Sequence, residues 1–248
     1  MEKKRVGRKR VSRRKGSNKK ENKKIIVMSL GGSLINPLVV DVKFLKRFSR
    51  VIRGLLKRYK FVIVCGGGIV AREYILALQK IGRKEPFASL SGIESTKLNA
   101  SLVAGFIGKF HLIPDSLQEV RKVLGKEGVV VCGALGFQPR MTSDGDASQI
   151  AEYLNAEMFI NLTNVDGLYD RNPSLRGAVF VPFVTFANFL ERANKIKYSA
   201  GQHFVLDQFA ARVISEGKIK TAIINGHKLN ELKNLLSGRK FRGTVIYG

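Results

Sequence analysis

Four short turns hold most of the groups that could meet a polyanion: Gly31-Gly32-Ser33, Gly66-Gly67-Gly68, a loop over 133–143 that ends Thr142-Ser143-Asp144, and Thr163-Asn164-Val165-Asp166-Gly167. Each follows the carboxyl end of an apolar run that reads as a strand, the edge at which open parallel sheets bind ligands. Glycine lets main-chain N–H groups close on an anion, and a helix that starts there adds the positive end of its dipole. One such turn is ordinary chain geometry; four in one chain point to a polyphosphate site. The GxxxxGK[ST] loop, a GxGxxG after a strand and the protein-kinase set are all missing from the sequence, so those three routes to nucleotide binding are unsupported. Taken singly, several of these residues fit plainer roles. Asp144 suits a helix N-cap, Asp166 a local turn, Arg72 a solvated helix face, and Tyr169 and Phe137 core packing.

The elements that must position these turns alternate short apolar runs with longer segments of helical period, which predicts an α/β protein with a mostly parallel sheet. Strands are expected at 25–30, 61–65, 129–132, 158–163, 221–225 and near 244–247, with a short one near 111–113. Helices are expected from Asp41 to about Arg58, from the Gly66–Gly68 turn to about Ile81, over 94–108, over 115–124, from Asp144 through Leu154, after Asp207, and up to Leu236. Residues 176–200 give no clear pattern. In the first of these helices Phe44, Leu45, Phe48, Val51, Ile52, Leu55 and Leu56 form one stripe, and the opposite face is crowded with Lys and Arg. A basic helix face is commonly solvated surface, so composition alone assigns it no partner. No internal repeat and no linker interrupts the chain after residue 24, which favours one continuous two-lobed domain over 25–248.

Composition narrows the class further. The 248 residues are 44% hydrophobic and contain two cysteines, Cys65 and Cys132, which excludes a disulfide scaffold and suits a reducing cytoplasm. No apolar run reaches the roughly 18 residues of a membrane-spanning helix, and the basic N-terminus lacks the apolar stretch of a secretory signal. The three histidines, His111, His203 and His227, lack zinc-ligand spacing, so no metal site is expected from protein groups alone. The formal charge of +25 is abnormal, and residues 1–24 hold 13 Lys/Arg against two Glu, a net of +11. Such a segment has too little to bury and is expected to be a disordered tail, suited to a weak contact with nucleic acid or to solubility alone.

Read together, the blocks MSLGGSLI (28–35), VCGGGIVAREYI (64–75), GIESTKLNAS (92–101), GFQPRMTSDGDASQIAEYLNAE (136–157), NLTNVDGLYDRNP (161–173) and the long segment 200–238 resemble the amino acid kinase superfamily, in particular UMP kinases of the archaeal type. The resemblance runs from about Ile25 to Ile246. It implies a three-layer α/β/α domain, an acceptor lobe over about 25–156 and an ATP lobe over about 157–248. It also implies cytoplasmic transfer of the ATP γ-phosphate to UMP with Mg²⁺, in a homo-oligomer that is a hexamer in the family.

By that resemblance, Gly32 and Ser33 touch the transferring phosphates, Gly67 approaches the UMP phosphate, and Gly68 and Arg72 serve ATP. Phe137, Gln138, Pro139, Arg140, Met141, Thr142 and Ser143 wrap the uridine and its phosphate, Ser89 lies at its ribose, and Thr163, Tyr169 and Asn172 form the adenine and ribose pocket. Asp144 and Asp166 organise the charged centre. The chain departs from the family pattern at Ser29, in place of Lys; at Ser89, in place of Asp; at Lys97, in place of Arg; at Arg140, in place of Gly; and at Asn172, in place of Asp. Arg140 is expected to clamp the acceptor phosphate and so restore a cation that Ser29 omits. Two other readings use the same residues: a degenerate homologue that binds nucleotide or oxyanion without transfer, and a nucleic-acid-associated protein working through its basic tail.

Overall fold

The computed structural model describes residues 23–83, 86–136, 141–195 and 206–248. The tail up to residue 22 and the loop residues Phe137, Gln138, Pro139 and Arg140 lie outside them. Strand β1 (Lys24–Leu30) is interior to the sheet: it pairs in parallel with β2 (Tyr59–Cys65) on one side and β4 (Met158–Thr163) on the other. Beyond β2 lies β3 (Val129–Cys132), and beyond β4 lies β8 (Thr221–Asn225), both parallel. The sheet closes with β9 (Thr244–Tyr247), antiparallel to β8, and β7 (Phe183–Thr185), giving the order β3-β2-β1-β4-β8-β9-β7. A separate two-stranded piece joins β5 (Leu168–Tyr169) to β6 (Phe180–Val181).

Central strands such as IIVMSL and FVIVC are apolar at consecutive positions because both faces are covered. On one face Ile26, Met28 and Leu30 pack against α1 (Gly32–Ile35), α2 (Val42–Leu55), α4 (Phe87–Ile107) and α9 (Leu229–Leu236). On the other face Val27, Val62 and Phe159 pack against α5 (Leu117–Glu127), α6 (Ser143–Tyr153), α7 (Phe186–Asn194) and α8 (Gln208–Glu216). The expected three-layer α/β/α architecture is therefore present. Helix α3 (Gly68–Lys80) belongs to neither layer; it rests on α4 and buries none of its own residues within the chain.

Four expectations need correction. No strand forms over 111–113. There the His111 ring, with its Nδ1 on Leu112 O, presents Nε2 to the N–H of Val131 at 3.4 Å, so a side chain meets the outer edge of β3, and Pro114 ends the segment. Helix α4 starts at Phe87, seven residues before the expected Glu94, because a short apolar lead-in hid its first two turns. Helix α6 is capped by Thr142, whose Oγ1 accepts from Asp144 N at 3.2 Å, so Asp144 is a first-turn residue and not the N-cap. The unpatterned 176–195 stretch contains β6, β7 and α7, elements too short to show a period of their own. The caps read at Asp41 and Asp207 are present, with Phe44 N and Ala210 N donating at 2.8 and 2.6 Å.

Candidate active site

The turns gather along one end of the sheet because every parallel strand ends there. The two glycine turns interlock. A Cβ on Gly32 would strike the backbone of Gly68 and lie 2.8 Å from the Gly66 carbonyl carbon, and one on Gly66 would lie 2.7 Å from Gly32 N. Gly68 also sits at φ +66, a conformation that favours glycine. This close approach requires glycine at 32, 66 and 68, and it leaves the first N–H groups of α3 without carbonyls in their own helix. Buried amides lock the arrangement: Asn99 Nδ2 donates to Gly66 O at 2.7 Å and Asn36 Nδ2 donates to Asn99 Oδ1 at 3.2 Å. Gly67 leans on α4 near Gly92 and Ser95, one turn beyond half-buried Ser89.

Ser143 closes this cradle, its Oγ 3.5 Å from where a Gly66 Cβ would stand. Beside it the Ser29 hydroxyl donates to Asp144 Oδ1 at 2.5 Å. Burial, then the nearby charge of Asp207, push the Asp144 carboxyl up to about 7 against the opposing Ser29 bond. Asp146, the one buried carboxyl among the described residues, is pushed to about 7 chiefly by burial, although Leu135 N donates to its Oδ1 at 3.0 Å. Asp207 reaches across from α8. Its Oδ1 caps that helix, while Oδ2 accepts from the Thr142 N–H at 3.2 Å and from the Thr142 hydroxyl. Two carboxylates thus hold the two ends of the loop between β3 and α6, Asp146 at Leu135 and Asp207 at Thr142.

On the far side of β1 a second cluster forms around Asp166. Its Oδ1 accepts from Asn225 Nδ2 at 3.0 Å and Lys228 Nζ at 2.7 Å, and its Oδ2 accepts from Arg242 Nε at 2.7 Å. Burial works against the charge here, but the Lys228, Arg242 and Asn225 bonds overcome it and hold the carboxyl at about 2. The Arg242 guanidinium also lies 4.7 Å from the centre of the Phe180 ring, which meets Tyr169 edge-on at 5.5 Å. Arg242 arrives because β9 runs antiparallel to β8, so its amino end, not its carboxyl end, lies beside these turns. An open groove of about 600 Å³, lined in part by Asp170, Thr185, Asn188 and Arg192, lies apart at the sheet edge and includes none of the glycine turns.

A model of the amino acid kinase family matches residues 24–225. The chain belongs to the amino acid kinase family. Uridylate kinase of Methanopyrus kandleri is 36% identical over 226 residues, which cover 90% of this chain and 99% of that protein. Uridylate kinase of Archaeoglobus fulgidus is 34% identical over 223 residues, covering 89% and 99%. The crystal structure of uridylate kinase from Archaeoglobus fulgidus superposes with a TM-score of 0.79 at 32% identity, covering 89% of this chain and 99% of that one. UMP kinase from Ureaplasma parvum shares the fold, with a TM-score of 0.75 at 22% identity over 92% and 100% of the chains.

In this amino acid kinase Gly32, Gly67, Gly68, Ser143 and Asp144 come together, and Ser33 is the second residue of α1 beside them. Thr163, Asp166 and Tyr169 form the second cluster. Asn172 is more peripheral: exposed, it turns its Oδ1 to Ser174 N at 2.9 Å. Arg72 is exposed on the second turn of α3, and Met141 packs against Gly145. Lys97 pairs with Glu94 on its own helix at 3.0 Å. The sequence reading missed Asn36, Asn99, Asp146, Asn225, Lys228 and Arg242. Asp207 it took as a cap only. Isolated polar residues in apolar or turn-rich segments carry no spacing signal, though the second Asp of the SDGD run was available as a hint.

Proposed function

We propose that this chain transfers the γ-phosphoryl group of ATP to UMP, giving ADP and UDP. The observation that carries the reading is the interlocked glycine cradle at the junction of β1, β2 and α6, in a chain related to uridylate kinases over 99% of their length. An oxygen of the acceptor phosphate attacks the γ-phosphorus, and the bond from that phosphorus to the ADP oxygen breaks. No covalent enzyme intermediate is required, so the protein contributes positioning and charge compensation.

In this reading Gly32 and Ser33 meet the transferring phosphates, Gly67 the acceptor phosphate, and Gly68 and Arg72 the ATP side. Ser89, Met141, Thr142 and Ser143, with residues 137–140, surround the uridine monophosphate. Arg140 clamps its phosphate. Thr163, Tyr169 and Asn172 hold the adenosine end of ATP, between an acceptor lobe over 25–156 and an ATP lobe over 157–248. Asp166 acts by holding Lys228 and Arg242 toward the donor side, where their charges face polyphosphate. That supply of cations suits a chain whose central strand carries Ser29 where relatives of the wider family carry a lysine.

The donor set fits Mg²⁺ arriving with ATP. Magnesium keeps several waters and takes one or two carboxylates plus substrate phosphates, and Asp144 is the carboxylate nearest the glycine cradle. Among the described residues no three His, Cys, Asp or Glu side chains stand together as a metal-holding group. When bound, the ion neutralises phosphoryl charge. We assign the reaction to the cytoplasm and to a homo-oligomer, a hexamer by family resemblance; none of the described helices is long and apolar enough to cross a membrane. The test is a coupled ADP-release assay with Mg·ATP against a panel of nucleoside monophosphates and small acids. UMP is expected to be the preferred acceptor. Absence of ADP release above background with every pyrimidine monophosphate, from folded protein, would overturn the assignment.

A further inference from the structure

The two-stranded sheet beside the Asp166 cluster is too small to hold a shape of its own. Strands β5 and β6 contribute two residues each, and the connection over 170–179 is almost wholly exposed. The hairpin is ordered instead by the segment that leads into β9. The Thr244 hydroxyl accepts from Leu168 N at 2.8 Å and donates to Val181 O at 2.6 Å, one bond to each strand. Gly167 permits that approach, since a Cβ there would lie 2.5 Å from the same hydroxyl and 2.9 Å from Phe180 Cε2.

Arg242 completes the hold from two residues earlier. Its guanidinium lies 4.7 Å from the centre of the Phe180 ring and within hydrogen-bonding reach of the Tyr169 hydroxyl, while Nε donates to Asp166 Oδ2 at 2.7 Å. Tyr169 and Phe180 are register partners across the hairpin, so one planar cation spans both of its strands. Lys228 shares the same carboxylate, with Nζ 2.7 Å from Oδ1 and 2.9 Å from Oδ2. An ammonium is a point charge, whereas a guanidinium is a charged plane with a fixed fork of donors. Asp166 therefore gathers two cations that can do different work.

We propose that Arg242 is a positioning residue for the donor nucleoside: by holding Tyr169 and Phe180 it fixes the surface on which that nucleoside rests, whereas Lys228 serves the polyphosphate alone. This role rests on the proposed place of Tyr169 at the adenosine end of ATP, and it gives the ordering of that end to a residue of another strand's approach. The Arg242 side chain is 53% exposed, so its charge still faces the donor phosphates. A lysine at 242 keeps that charge but cannot meet Asp166, the Tyr169 hydroxyl and the Phe180 face at once. Exchange of the plane for a point charge therefore loosens the hairpin and blunts discrimination of the nucleoside.

The test is isothermal titration calorimetry of the full chain with MgATP and with magnesium tripolyphosphate, which lacks the nucleoside. The parent is expected to bind ATP about tenfold more tightly or better. Arg242→Lys is expected to lose most of that preference, ATP affinity falling about tenfold and tripolyphosphate affinity changing less than about twofold. Lys228→Gln should weaken both ligands by the same factor and keep the preference. Tyr169→Phe removes only the hydroxyl and should lower the preference by about threefold. Added to Arg242→Lys it should cost nothing further, because the two side chains make one contact. Circular dichroism verifies the fold of each variant. Equal weakening of both ligands by Arg242→Lys, an unchanged preference in that variant, or additive losses in the double variant would overturn the proposal. So would a parent that binds the two ligands alike. Titration reads binding without turnover, so each of these failures leaves the kinase assignment to its own ADP-release test. A parent that binds neither ligand overturns both.

Discussion

Asp166 shows how a single residue can act on a site through others. Its three donors come from Asn225 at the end of β8, from Lys228 before α9 and from Arg242 before β9. Asp166→Asn keeps the shape but forfeits the charge, so Lys228 and Arg242 lose their common anchor. In the proposed reaction this should raise KM for ATP by about tenfold or more, roughly 1.4 kcal/mol, with a smaller change in KM for UMP. The same substitution has a defined pH signature. The folded carboxyl titrates near 2, below its ordinary 3.8, so its contribution to stability is present above about pH 4 and is lost as the pH falls toward 2. Thermal midpoints of the parent and Asp166→Asn proteins should differ by a constant amount from about pH 7 down to 5 and converge below about 4. A gap that widens on acidification would contradict the assignment.

At the scale of elements, the loop between β3 and α6 depends on carboxylates at both of its ends. Asp207 accepts at two helix starts with different oxygens, and an amide has only one oxygen to offer. Asp207→Asn should therefore release either Thr142 or the cap of α8, the latter worth about 1 kcal/mol. Asp146→Ala should free Leu135, whereas Asp146→Asn keeps an acceptor for the same N–H. Steady-state kinetics are expected to show KM for UMP raised several-fold in Asp207→Asn and Asp146→Ala and nearly unchanged in Asp146→Asn, with KM for ATP little altered in all three. Equal effects on both substrates would place these residues in general stability instead.

These same elements mark how far the sequence could be read. The central strands, the capped helices at Asp41 and Asp207, and the glycine turns were legible because each has a local signature: an apolar run, a cap, a glycine cluster. Residues 176–195 were not, because β6, β7 and α7 are too brief to display periodicity and owe their form to the sheet edge they join. Arg242 was illegible for a topological reason. Only the reversed direction of β9 brings it to the nucleotide end, and direction is a property of pairing between distant strands rather than of local composition.

For the whole molecule, the most telling feature is a helix with no interior. Within one chain α3 buries none of its residues, and Tyr74 and Leu76 on it remain 58% and 53% exposed, beside Phe87 and Leu98 of α4 at 55% and 64%. A helix pair that leaves this much apolar surface outward is suited to a second copy of the chain, consistent with the proposed homo-oligomer. Sedimentation velocity should report an assembly larger than the 27.5 kDa protomer. Tyr74→Glu/Leu98→Glu should shift it toward the protomer while circular dichroism stays native. A parent protein that sediments as a single chain across micromolar concentrations would remove the self-association.

The two cysteines occupy a telling place in this frame. Cys65 ends β2 immediately before Gly66, and Cys132 ends β3 immediately before Gly133; both are sealed from solvent, and burial pushes both thiols up, away from the reactive thiolate. A thiol reagent therefore reaches them only when the strand ends beneath the glycine turns open. The chain carries its own chemical clock for breathing of that region: modification rates measure how often it comes apart, and slowing of the rate by nucleotide measures how firmly an occupied cradle stays shut.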